Sequence, residues 1–149
     1  MSRTGRRLQA AAQGARTSIS LVLSPASRSY SNGATVTVTI LVKTGSTEVN
    51  TVQANLTYPT NRLSFQSIST SGSPFTTVIE SSGGSGSVRL GSGILGGSTS
   101  GTKTVAIVTF TASGVGSVAI TFAAGSGVAD ANTSSDVLQS TTGATYTIT

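Results

Sequence analysis

The sequence predicts an all-β fold, an antiparallel β-sandwich of about nine strands. Apolar residues alternate with Ser and Thr along most of the chain, and the run ATVTVTILV at 34–42 is the clearest example. Turn-forming residues separate such runs about every eight to twelve residues, as in a sandwich. The composition agrees, because 26 Ser, 25 Thr and 18 Gly supply strand and turn residues while charged residues make up only 9%.

The predicted strands follow one another with clear turn signals between them. Pro25 ends the first strand, and Asn32-Gly33 suits the positive φ of the next turn. In the fourth strand the alternation slips by one near Ser67, which predicts a β-bulge. We expect connectors at 81–87 and 125–144. The nine strands are predicted at 17–23, 34–42, 49–58, 63–68, 74–80, 87–93, 103–112, 117–124 and 145–149.

The charge divides the chain into a basic N-terminal arm or linker at 1–16 and a nearly neutral sandwich domain at 17–149. The arm contains four of the nine basic residues and no acid, and these residues are Arg3, Arg6, Arg7 and Arg16. Such an arm can contact phosphates, whereas no aromatic pattern for reading bases is present, so nucleic-acid binding is expected from the arm or not at all. No apolar run is long enough to insert into a membrane.

The residue types present leave little room for catalysis. The chain has no Cys and no His, which excludes a thiol nucleophile, an imidazole base and a serine triad. Only four acids remain, Glu48, Glu80, Asp130 and Asp136, and the two glutamates lie at predicted strand ends. We therefore expect a protein that is not an enzyme and that needs no cofactor.

The loop DANTSSD carries the one candidate metal site. Asp130, Asn132 and Asp136 place oxygen ligands close together, and calcium prefers such ligands. The central Gly and distal Glu of an EF-hand loop are missing. An Asx-type turn explains the same residues without a metal.

Several segments resemble the cohesin domain, in the same order along the chain. The segment VQANLTYPTNRLSFQSI at 52–68 is similar to the third cohesin strand, its proline corner and the strand that follows. The other similar segments are ISLVLSPAS at 19–27, ATVTVTILV at 34–42, KTVAIVTFTA at 103–112, GVADANTSSDVL at 127–138 and the terminal GATYTIT. The resemblance covers about 17–149 and extends to related cellulose-binding modules.

This resemblance implies a jelly-roll sandwich that acts as a docking module outside the cell or at its surface. Cohesins receive a calcium-loaded dockerin on the flat face of one sheet. Carried over, the inward residues of the third strand are Val52, Ala54, Leu56 and Tyr58. The partner-binding residues are then the outward Thr51, Gln53, Asn55 and Thr57, with Arg89 on a later strand.

Two other functions remain open from the sequence. The chain could be a self-assembling subunit of a surface filament or a virion, in which the arm or the terminal strand TYTIT completes the sheet of another copy. It could also bind carbohydrate. Sugar platforms use exposed aromatic rings, whereas this chain has no Trp and its three tyrosines, Tyr30, Tyr58 and Tyr146, are expected to be at least partly buried.

Overall fold

The computed structural model describes residues 19–149, and these residues form twelve strands. Each run of alternating apolar residues becomes a strand, because period-two alternation buries one face and exposes the other. The strands are β1 (Ser20–Ser24), β2 (Ser27–Tyr30), β3 (Thr35–Lys43), β4 (Val49–Thr57), β5 (Leu63–Ser69), β6 (Thr77–Gly84), β7 (Ser87–Gly93), β8 (Thr102–Ala112), β9 (Gly116–Phe122), β10 (Gly127–Asp130), β11 (Ser140–Thr142) and β12 (Ala144–Ile148).

Two sheets pack face to face, which confirms the predicted sandwich. The first sheet has the order β11-β1-β3-β8-β5, and the second has the order β2-β12-β9-β4-β7-β6 with β10 beside β4. All pairs are antiparallel except β1 with β11 and β2 with β12. The chain changes sheets between β1 and β2, where Tyr146 donates a hydrogen bond from its hydroxyl to the carbonyl of Pro25 at 2.8 Å.

The core lies between the sheets and consists mainly of Val, Ile, Leu and Phe. On β3, for example, Val36 and Val38 are fully buried while Thr35 and Thr37 are exposed. Aromatic rings also pack in the core, where the ring centroids of Tyr58 and Phe110 are 4.9 Å apart. Each large apolar side chain buried in this way contributes about 1.5–3 kcal/mol to the driving force for folding.

The slip predicted near Ser67 is confirmed as a bulge in β5. The pairing of β5 with β8 shifts between Phe65 and Ser67, so Gln66 is the extra residue. A second bulge lies in β6, where Val78 pairs with Ser92 and Glu80 with Gly91. Ile79 is the extra residue there, and the sequence pattern did not indicate it.

Two expected connectors contain strands instead. The stretch 81–87 is a β-hairpin, because β6 continues to Gly84 and β7 begins at Ser87. Gly83 allows this, since a Cβ added there would overlap the ring of Phe65. The stretch 125–144 contains β10 and β11, which are too short to show a periodic pattern. The predicted basic arm at 1–16 lies outside the described residues.

Candidate protein interface

The outward surface of β9, β4, β7 and β6 is the candidate interface, and β4 runs through it. The inward residues predicted for this strand are confirmed, because Val52, Ala54 and Leu56 are fully buried and Tyr58 is 7% exposed. Among the outward residues, Thr51 and Gln53 are half-buried. Thr57 is exposed, and its hydroxyl lies 2.8 Å from the hydroxyl of Thr121 on β9.

A glycine in β7 leaves space for a side chain of β4 to cross this surface. Gly91 pairs with Gln53 on one side and with Glu80 on the other. A Cβ at position 91 would lie 2.5 Å from Oε1 of Gln53. Because that space is empty, Gln53 reaches across β7 and donates a hydrogen bond from Nε2 to Oε1 of Glu80 at 3.1 Å.

Hydrogen bonds link four polar side chains of the surface in a row, which we call the polar network. It consists of Asn55, Gln53, Glu80 and Arg89. Gln53 Nε2 also donates to Oδ1 of Asn55 at 2.7 Å, and Arg89 Nε donates to Oε2 of Glu80 at 3.2 Å. The ion pair is exposed, so its contribution to stability is small. It links Arg89 on β7 to Glu80 on β6.

Asn55 is an exception among the outward residues, because it is not available at the surface. It is only 5% exposed, since the loop that follows β9 covers it. Its Nδ2 donates to the carbonyl of Ala124 at 3.1 Å, and its backbone N–H donates to the hydroxyl of Ser126 at 3.1 Å. The sequence indicated its outward direction correctly but gave no sign of the loop that lies over it. Asn55 therefore holds this loop in place.

The bulge in β6 adds an apolar side chain beside the polar network. Ile79 is 67% exposed, and its Cδ1 would lie 3.9 Å from a Cβ added to Gly93 on β7. Sequence reasoning missed Ile79, Gly91 and Gly93. The alternation in SVRLGSG, which leaves the last two outward positions as glycine, was the signal that could have indicated an open surface there.

The predicted metal ligands lie in a turn held by their own carboxylates. Oδ1 of Asp130 accepts hydrogen bonds from the backbone N–H groups of Asn132 at 2.7 Å and Thr133 at 3.1 Å, which is an Asx turn. Oδ1 of Asp136 accepts from the N–H groups of Val128 and Leu138. Within residues 19–149, no group of three or more His, Cys, Asp or Glu side chains is placed to hold a metal ion. Calcium binding by this loop stays a prediction.

The remaining carboxylate, Glu48, lies directly before β4 and is exposed. Its Oε1 accepts a hydrogen bond from the hydroxyl of Ser98 at 2.6 Å. This bond, and a second one from Ser100, lower the pKa of Glu48 below its ordinary value. Each of the four acids thus accepts hydrogen bonds from hydroxyl, amide, guanidinium or backbone groups.

The free edges of both sheets offer little regular backbone for another strand. β11 and β2 have three and four residues, and β5 and β6 are each interrupted by a bulge. Short and bulged edges discourage pairing with another chain. Assembly through the arm concerns Arg3, Arg6, Arg7 and Arg16, which lie outside the described part of the chain, so it stays a prediction.

Two further observations concern other classes of binding. In the described part of the chain, every Tyr and Phe ring is buried or half-buried, so none forms an exposed platform for sugar. In the same part, no helix is long and apolar enough to cross a membrane.

Comparison with known proteins gives structural matches only. No protein-family model matches the sequence, and no curated protein matches it. Solved structures match closely in shape. The solution structure of CaCohA2 from Clostridium acetobutylicum has a TM-score of 0.75 at 17% identity and covers 89% of this chain and 91% of that one.

Two other matches come from different organisms. A non-cellulosomal cohesin from the archaeon Archaeoglobus fulgidus has a TM-score of 0.72 at 17% identity, with 89% of this chain and 91% of that one covered. A type I cohesin–dockerin complex from Clostridium thermocellum has a TM-score of 0.73 at 10% identity, with 88% and 93% covered. The chain therefore contains a cohesin-like domain, a β-sandwich with the fold of the cohesins.

Proposed function

We propose that this domain is a non-enzymatic docking module that binds a protein partner on the outward surface of β9, β4, β7 and β6. We call this surface the docking face. Its residues are Thr51, Gln53, Thr57, Ile79, Glu80 and Arg89. The fold supports the proposal, because a solved structure of the same fold is a complex with a dockerin. A dockerin-like module is accordingly the proposed partner.

The observation that carries the proposal is the chemistry of this face. The two charges of the polar network, on Glu80 and Arg89, pair with each other, so a partner can cover them without leaving a charge unpaired. Ile79 offers an exposed apolar side chain next to it, as expected of an anchor at an interface. In residues 19–149, none of the large apolar side chains that are exposed lies on the outer face of the five-stranded sheet. The two faces of the sandwich therefore differ.

The non-enzymatic part of the proposal is supported by the side chains available. The chain has neither His nor Cys, and each of its four carboxylates accepts hydrogen bonds from neighbouring groups. The resemblance to cohesins implies a docking module that acts outside the cell or at its surface. We therefore propose an extracellular or cell-surface location.

The proposal is tested by titration calorimetry against dockerins, including the partners of the structurally similar cohesins, with calcium present. We expect at least one dockerin to bind the native chain. Ile79→Asp should weaken that binding about ten-fold or more, because it places a charge where the partner would bury the exposed Ile79 side chain. Thr37→Asp adds the same charge on the opposite face and should leave the affinity unchanged.

Two results would count against the proposal. Failure of every dockerin to bind would remove dockerin as the partner class. Equal weakening by Ile79→Asp and Thr37→Asp would show that the docking face is not where binding occurs.

A further inference from the structure

The sequence contains two matches to the pattern that accepts N-linked glycans, in which Asn is followed by any residue except Pro and then by Ser or Thr. One match is NLT at 55–57 in β4, and the other is NTS at 132–134 in the loop after β10. The pattern can be used only where the asparagine reaches the active site of a transferase, which requires a surface position. The two matches therefore differ according to their place in the fold.

Asn55 is closed to modification by the sheet around it. It is 5% exposed, and its Nδ2, the atom that would carry the sugar, donates a hydrogen bond to the carbonyl of Ala124 at 3.1 Å. Asn55 pairs with Arg89 on β7, and its carbonyl accepts a hydrogen bond from the N–H of Ala123 at 2.7 Å. Exposing Asn55 therefore requires β4 to separate from its neighbours, which is a large opening of the domain.

Asn132 has the opposite environment. Asn132, Thr133 and Ser134 are all exposed, and within residues 19–149 the side chains of Asn132 and Ser134 make no hydrogen bond. The backbone N–H groups of 132–135 donate only within the loop, to Asp130 and Thr133. This segment can therefore open locally while the sheets stay paired.

An acid stands at a fixed distance before the exposed asparagine. Asp130 lies two residues before Asn132, so the loop reads Asp-x-Asn-x-Ser. Bacterial oligosaccharyltransferases require an acid at this position, where the carboxylate pairs with a cationic side chain of the enzyme. The other match has Gln53 at the corresponding position and lacks the charge. Oδ1 of Asp130 is used by the turn, whereas Oδ2 has no hydrogen-bond partner in the described part of the chain.

We propose that Asn132 is an N-glycosylation site and that Asn55 is not modified. The donor is an oligosaccharide linked to a lipid through a diphosphate. Nδ2 of Asn132 attacks C1 of the first sugar and loses one proton to a base of the transferase. The new bond joins Nδ2 to C1, the bond between C1 and the diphosphate oxygen breaks, and the lipid diphosphate leaves with its electron pair.

The glycan would lie at the border of the docking face. Ser134 and Asp136 line a groove of about 440 Å³ that also reaches Thr51 and Gln53. A bulky hydrophilic chain there limits the approach of a partner from the side of β10, whereas Ile79 lies on β6 at the other edge of the sheet. The inference rests on the proposed location outside the cell, because such glycans are added to exported chains, and not on the dockerin partner.

The test is glycosylation of the folded full chain by a bacterial oligosaccharyltransferase with a lipid-linked oligosaccharide, measured by intact mass and peptide mapping. We expect one glycan per chain, on Asn132, and none on Asn55. Asn132→Gln should abolish the modification and leave the fold intact, because the Asn132 side chain makes no hydrogen bond in the described part of the chain. Asp130→Asn keeps the Oδ1 acceptor of the turn but loses the charge, so it should reduce glycosylation about ten-fold or more.

A peptide that spans 127–138 is the control for accessibility. We expect both the peptide and the folded chain to be modified. Modification of the peptide alone would show that the fold closes Asn132, and modification of neither would show that the segment is not an acceptor. Either result would overturn the proposal, as would a glycan on Asn55 of the folded chain. No dockerin takes part, so the failure of this proposal and the failure of the docking proposal are distinguishable.

Discussion

At the scale of single residues, the small residues of β7 determine how the side chains of the docking face are arranged. Gly91 has no side chain, and for this reason Gln53 crosses β7 to reach Glu80. Ser92, the next residue, points into the core, where it is fully buried. Its hydroxyl is the one buried side-chain polar atom without a hydrogen-bond partner in the described part of the chain.

Ser92→Ala should therefore stabilise the domain. Removing an unsatisfied buried hydroxyl recovers its desolvation cost, and we expect the free energy of unfolding to rise by about 1 kcal/mol. Urea unfolding of the native chain and the variant measures the difference. Ser82→Ala, at an exposed position of β6, is the matched control and should change stability by less than about 0.5 kcal/mol. A clear loss of stability in Ser92→Ala would mean that the hydroxyl has a partner.

Glu48 gives a prediction about pH. Because hydrogen bonds from Ser98 and Ser100 lower its pKa in the folded state, its contribution to stability is present above the ordinary value of 4.5 and is lost as the pH falls through the lower folded value. An NMR titration of the Glu48 carboxyl should show a midpoint below 4.5, and Ser98→Ala should move it back towards 4.5. A midpoint that does not respond to Ser98→Ala would contradict this account.

At the scale of elements, the loop after β9 is attached to the sheet by Asn55. β4 pairs with β9 at one end and with β10 at the other, and the loop leaves the sheet between the two pairings. Gly125 at the tip has a φ of 92°, and a Cβ there would lie 2.7 Å from Nδ2 of Asn55. The loop and Asn55 thus form one unit at the margin of the docking face.

Asn55→Ala should release this loop. The variant leaves the carbonyl of Ala124 and the amide of Gln53 each without one hydrogen bond, so we expect a loss of about 1–3 kcal/mol. Hydrogen exchange of the amides at 123–127 should become faster. Thr37→Ala, at an exposed position of β3, is the control and should leave both quantities nearly unchanged. Unaltered exchange at 123–127 in Asn55→Ala would show that other contacts hold the loop.

A second prediction at this scale concerns the turn between β11 and β12. A Cβ added to Gly143 would overlap the carbonyl of Ile120, and backbone atoms of β9 cannot move aside without breaking its pairing with β12. Gly143→Ala should therefore cost about 1–3 kcal/mol in thermal or urea unfolding. Gly91→Ala should cost less, because the atom it meets is the end of the flexible Gln53 side chain. The reverse order of the two losses would refute this reading of the glycines.

At the scale of the whole molecule, the sequence was sufficient for the fold because long strands repeat their pattern many times. β3 alternates over nine residues, so its inward and outward faces were predicted correctly. The short strands β2, β10 and β11 were missed, since three or four residues show no period and pair only because distant strands lie beside them. The local sequence therefore encodes the sandwich, whereas tertiary contacts determine the short strands β2, β10 and β11.

The candidate site was only partly predictable, for a related reason. The resemblance to cohesins implied that Thr51, Gln53, Asn55 and Thr57 point outward from β4. It could not show that a loop from a distant part of the chain covers Asn55, or that a bulge turns Ile79 onto the same surface. Both features depend on pairing between strands and not on local sequence.

The central claim is that a partner binds the docking face, and hydrogen exchange of the complex with a dockerin tests it most directly. The account predicts slower exchange in β4, β6 and β7 on binding, with β1, β3 and β8 unchanged. Protection confined to the five-stranded sheet, or to the edges β2 and β11, would contradict it.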